Sequence, residues 1–92
     1  MKKKETVAMQ DEYIEVLIKN LPVLRAATHM TQAQLAYKLG VSRQTIVVIE
    51  NRKRALPWSL YLAVLFVFIQ YDESKKLMES LDLFDSEFIQ KL

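Results

Sequence analysis

Two adjacent side chains, Arg43 and Gln44, have shapes suited to reading base edges. The arginine fork matches O6 and N7 of guanine, and the glutamine amide matches N6 and N7 of adenine. Either can also grip a phosphate. They open an apolar-periodic segment behind Ser42, whose hydroxyl is placed to accept the free N–H of Gln44 or Thr45 as a helix N-cap. Positive charge gathers around them. Residues 25–54 carry Arg25, Lys38, Arg43, Arg52, Lys53 and Arg54 against one acid, Glu50, for a net +5. Residues 1–24 balance at zero, 55–69 carry no charge, and 70–92 hold three lysines against six acids. The basic cluster is the electrostatic footprint expected for phosphate contact.

Positioning those side chains falls to residues 31–50, TQAQLAYKLGVSRQTIVVIE, which read as two short helices around a tight turn. Gly40 in that turn is the only glycine in 92 residues. The position calls for a left-handed backbone just past a helix end, which a Cβ resists. Leu35, Ala36 and Leu39 share one face of the first helix, and Ala36 is small enough for a second helix to cross closely. Val41 plugs the corner. Ile46 and Ile49 bury the second helix, leaving Arg43, Gln44, Val47 and Val48 outward. Thr31 is the expected N-cap of the first helix, with Gln34 completing a capping box.

Gln32, Ala36, Gly40, Val41, Ile46 and Ile49 carry a resemblance to phage-repressor and Cro-type (Xre-like) helix-turn-helix domains. It is close over TQAQLAYKLGVSRQTI and looser from about Leu21 to Phe68. The resemblance implies double-stranded DNA as partner. It places base contacts on Ser42, Arg43 and Gln44, with Val48, one turn after Gln44, against a thymine methyl. It places phosphate contacts on Gln32 at a helix N-terminus and on Asn51, Arg52, Lys53 and Arg54 in the following loop. Lys38 is either a further phosphate contact or plain surface. Val47 and Val48 stand where the family more often has polar residues, and Val47 is open between DNA contact and packing. The family also pairs an arginine seven residues before the motif glutamine with a glutamate closing the second helix. Those positions are Arg25 and Glu50, so an orienting ion pair is expected between them. The family's usual glycines are missing at His29 and Arg52. Histidine tolerates positive φ at the first site, and Asn51 is expected to take the left-handed role at the second.

Around this motif (32–51) the chain reads as one all-α domain spanning 1–92. The expectation is five to six compact helices, a lambda-repressor-like helix-turn-helix core and a C-terminal helical extension. Residues 1–10 look polar and frayed. An N-terminal helix covers 11–20 through Tyr13, Ile14, Leu17 and Ile18. Pro22 predicts a break near Asn20–Leu21 and a new helix to about Thr28. The alternative is one kinked helix from Asp11 to Thr28. C-terminal helices occupy 58–92. Trp58 to about Gln70, starting behind Pro57, is apolar on nearly every side and needs cover all round. From Asp72 to Leu92 come one or two amphipathic helices broken around Leu83–Asp85.

Composition narrows the function. Hydrophobic residues make up 51%, a surplus for so small a chain that points to a homodimer. There is no cysteine, so no thiolate metal site or thiol nucleophile is available; the one histidine, His29, has no second histidine for a zinc site and no plausible nucleophile neighbour for a triad, and no cofactor is expected. Lys2–Lys4 lead into no signal-peptide core, and the apolar run Leu60–Ile69 is half a bilayer span. A cytoplasmic, non-enzymatic protein follows as the expectation. The leading reading is a sequence-specific transcriptional repressor on a near-palindromic operator. The other is an antitoxin or protein-interaction module using the apolar helix 58–70 and the acidic C-terminal segment.

Overall fold

The computed structural model describes residues 2–84, with side chains from Met9 onward. Five helices and no strand occur among the described residues: α1 Lys2–Ala27, α2 Gln32–Leu39, α3 Arg43–Glu50, α4 Trp58–Phe68 and α5 Asp72–Ser80. The expected all-α class and its helix-turn-helix core are present. Phe88, Ile89, Leu92 and any helix beyond Leu83–Asp85 lie outside the described residues.

Before α2 the leading expectation of two helices fails, and the alternative of one helix through Pro22 holds. The polar start is helical from Lys2, and the break at Asn20–Leu21 does not occur. One helix runs through Pro22, which lies on its exposed side. A proline inside a helix deletes the bond to the carbonyl four residues back and costs about 3 kcal/mol. Leu17, Leu21 and Leu24 explain why that cost is met. They form one stripe across the proline and are fully buried. Burial of each leucine contributes roughly 1.5–3 kcal/mol, and a break would take part of the stripe out of register. Tertiary burial outweighs the local penalty.

The stripe packs on a core formed by Leu35, Ile46, Ile49, Tyr61, Phe68 and Met78, so all five helices share one apolar interior. α4 is covered on most of its surface, short of the all-round cover its composition demands. Tyr61, Val64, Leu65, Val67 and Phe68 are buried, and Trp58 stacks on Tyr61 with ring centroids 4.7 Å apart. Phe66 remains 66% exposed. Beyond α5, the Tyr61 hydroxyl donates to the Leu83 carbonyl in the interior, which ties the chain after α5 to α4. No described helix is long and apolar enough to cross a membrane.

Four helices end in the same way. Each has a left-handed residue whose N–H bonds back three residues, followed by an N–H that bonds back five. The pairs are His29 and Met30 on α1, Gly40 and Val41 on α2, Arg52 and Lys53 on α3, and Asp82 and Leu83 on α5. This is the Schellman arrangement, which satisfies carbonyls left open at a helix C-terminus. Positive φ at His29 is as expected. At the end of α3 the expectation fails: Asn51 has φ −83° and Arg52 has φ +61°. The reason is register. Asn51 still closes a helical bond to the Val47 carbonyl, so the left-handed turn falls one residue later, where Lys53 N–H reaches the Val48 carbonyl at 2.9 Å.

Pro22→Ala restores a donor on an exposed helical face and removes no buried contact. It is expected to stabilise the protein by about 1–3 kcal/mol, read as a rise in urea midpoint with an unchanged slope.

Candidate nucleic-acid interface

The helix-turn-helix corner forms as its sequence requires. The Thr31 hydroxyl accepts from Gln34 N–H at 3.0 Å, and the Gln34 side chain accepts from Thr31 N–H at 2.8 Å, completing the capping box. α2 ends at Gly40 with φ +73°. Apart from its chain neighbours, no atom lies within 4 Å of where a Cβ would stand, so glycine is favoured there by backbone conformation and not by crowding. Val41 is half-buried against the core, and Leu35 and Ala36 face α3 from within it. Ser42 then caps α3: its hydroxyl accepts from Thr45 N–H at 3.2 Å.

This geometry divides α3 into two faces. Ile46 and Ile49 are 1% exposed and anchor it inward. Ser42, Arg43 and Gln44 are exposed at its N-terminus, with Val47 and Val48 half-buried one turn on and Asn51 exposed beyond them. Neither valine belongs to the buried core, so both contribute apolar surface to the same outward face as Arg43 and Gln44. The N-terminal end of a helix carries free N–H groups and a positive dipole end, which suits approach to an anionic groove.

The opposite end of α3 is fixed by charge. Glu50 and Arg25 form a two-pronged pair, Nε to Oε2 at 2.8 Å and Nη2 to Oε1 at 2.9 Å. Arg25 Nη1 also donates to the Met30 carbonyl at 3.3 Å. Gln32 Nε2 adds a third bond to the carboxylate, at 3.0 Å on Oε1. The Glu50 side chain is 7% exposed and that of Arg25 17%. One carboxylate thus joins the last turn of α1, the first residue of α2 and the last residue of α3. The expected Arg25–Glu50 pair is present, and Gln32 joins it. Gln32 is half-buried, and its bond to Glu50 uses one of the two hydrogens on its Nε2.

The loop after α3 presents Asn51, Arg52, Lys53 and Arg54, all exposed. Lys38 is exposed on α2. One contact in this loop had no sequence signal: Arg52 Nη1 donates to Glu15 of α1 at 2.7 Å. The hydrogen bond from Arg52 is the main cause holding the Glu15 carboxyl below its ordinary range, and Glu15 in turn raises Arg52. Both groups are open to water.

Glu50→Ala strands a largely buried guanidinium. It is expected to cost about 3 kcal/mol in denaturant unfolding. Exposed Lys38→Ala on the neighbouring helix should change stability by less than about 0.5 kcal/mol.

Residues 24–57 match the family model described as Helix-turn-helix. No curated protein and no solved structure matches the chain. The matched segment contains the Arg25–Glu50 pair, the Gly40 corner and the exposed start of α3, and the match supports the resemblance to phage-repressor and Cro-type (Xre-like) helix-turn-helix domains.

Proposed function

We propose that the protein is a sequence-specific transcriptional repressor that binds a near-palindromic operator as a homodimer. The observation that carries this reading is the division of α3: its N-terminal turn is exposed, while its inner face and its last residue are held in the protein. In this reading α3 enters the major groove with Ser42, Arg43 and Gln44 against base edges. Val48 meets a thymine methyl and Val47 extends the apolar contact. Gln32, Asn51, Arg52, Lys53 and Arg54 hold the flanking phosphates and set the register of the helix on the duplex.

Two observations favour a dimer. The run 55–69 is uncharged, so two copies can meet there about a twofold axis without opposing like charges. Phe66 on α4 and Ile69 just after it are large apolar side chains left exposed among the described residues. The same residues favour a second reading, an antitoxin or interaction module that grips another protein through α4 and the acidic segment after it. Purification from native cells separates the two, since a stoichiometric foreign partner supports the second.

In vitro selection from a random duplex pool is expected to yield two related half-sites about one helical turn apart. Replacing Arg43 and Gln44 together with alanine should cut the preference for selected over random duplex at least about ten-fold, because each bidentate contact carries about 1–3 kcal/mol of discrimination. An unchanged preference would remove α3 from the role of reading helix.

A further inference from the structure

Arg52 occupies a left-handed position, φ +61°, where glycine would meet the backbone demand without strain. What arginine adds there is a guanidinium on the loop that follows α3. That guanidinium is engaged. Its Nη1 lies 2.7 Å from one Glu15 oxygen and 2.6 Å from the other. Glu15 comes from α1, 37 residues earlier, outside the segment 24–57 that matches the helix-turn-helix family. Lys19, one turn further along α1, adds attraction on the carboxylate. Both members of the pair remain open, with the Arg52 side chain 49% and the Glu15 side chain 59% exposed. Neither is locked in place by burial, in contrast to Arg25 and Glu50.

A carboxylate and a phosphate offer a guanidinium the same thing, two anionic oxygens side by side. We propose that Glu15 is an internal stand-in for a DNA backbone phosphate: it holds Arg52 in the free protein and yields it when the duplex arrives. The inference rests on the reading of α3 and its following loop as a DNA-binding surface. Glu15 is then a positioning residue that acts on DNA through Arg52. It keeps the arginine ordered at the edge of the interface, and it lowers affinity by the strength of the contact that must be given up. An open ion pair is weak enough to exchange, which bounds the effect at about five-fold in affinity.

The test is a cycle of Glu15→Gln, Arg52→Gln and the double variant, titrated with a mixed-sequence duplex of about two helical turns over a range of salt. Phosphate contact is independent of sequence, so no operator is needed. Glu15→Gln is expected to tighten binding about two- to five-fold. Arg52→Gln should weaken it and lower the salt slope by about one. In the Arg52→Gln background the Glu15 change should gain no more than Glu12→Gln does in the parent protein. Glu12 is another exposed carboxylate of α1 and sets the general effect of removing one negative charge. Thermal midpoints measured alongside should stay together, since the pair is exposed. Unchanged or weaker binding by Glu15→Gln overturns the inference, as does an equal gain with Arg52 removed. Those outcomes leave the DNA reading intact, because the parent protein still binds. Absence of duplex binding by the parent at low salt overturns both.

Discussion

The two-pronged contact between Arg25 and Glu50 is the constraint on which the remaining geometry depends. α3 has eight residues, too few to be stable alone, so its direction comes from what holds its ends. Ser42 defines where it starts, and Glu50 defines where it stops and what it leans on. With the far end tied to α1 and to Gln32 of α2, two isoleucines suffice to seat the inner face. A buried ion pair is weak evidence for stability, since an apolar substitute of equal volume often does as well. Its value here is directional. A fork meeting a carboxylate in two bonds accepts one orientation, and that orientation leaves the first turn of α3 free.

Helix termination shows how backbone strain is distributed in this chain. Four of the five described helices end in a left-handed residue, and the single glycine serves only α2. His29, Arg52 and Asp82 adopt the conformation despite their Cβ atoms, at about 1–2 kcal/mol each. Each such turn closes two backbone bonds at open carbonyls, contributing about 1 kcal/mol apiece, so the exchange is near balance. An apolar residue follows in most cases: Met30 and Leu83 are buried and Val41 half-buried. After Arg52 the next residue is Lys53, which is exposed. The α3 terminator therefore lacks the apolar plug of the others and presents charge in its place. Stability is given up at this turn to gain a basic loop beside the exposed face.

What the sequence made legible follows the range of the interactions involved. The capping box at Thr31, the cap at Ser42, the glycine corner and the inward set Leu35, Ala36, Ile46 and Ile49 all depend on residues a few positions apart, and each was readable. Arg25 and Glu50 lie 25 residues apart and were found only because the family resemblance supplied the pairing. The continuity of α1 was legible only as the alternative to a break, because Pro22 gives a strong local signal while the burial of Leu17, Leu21 and Leu24 against α3–α5 is not local. Assigning the left-handed turn to Asn51 failed for a related reason. Intrinsic tolerance favoured asparagine, but Asn51 still closes a helical bond to the Val47 carbonyl, so the turn falls on Arg52. The Glu15–Arg52 contact joins two exposed side chains 37 residues apart, which no spacing rule reaches.

That last contact becomes intelligible once α1 is seen as one helix. With a break at Asn20, residues 11–20 would form a separate element whose direction the core would not dictate. As a continuous helix, the leucine stripe fixes α1 rigidly enough that a residue ten positions before Arg25 is placed by the same packing that places Arg25 itself. Ten residues along a helix span about 15 Å. α1 therefore touches the end of α3 through the largely buried Arg25 and the loop after it through Glu15 at the surface. The inner contact sets the angle of α3, and the outer one restrains the first cation beyond it. A segment outside the helix-turn-helix match thus extends control from the orientation of the exposed helix to the charge at its far end, and it does so through a proline that local rules would have made a boundary.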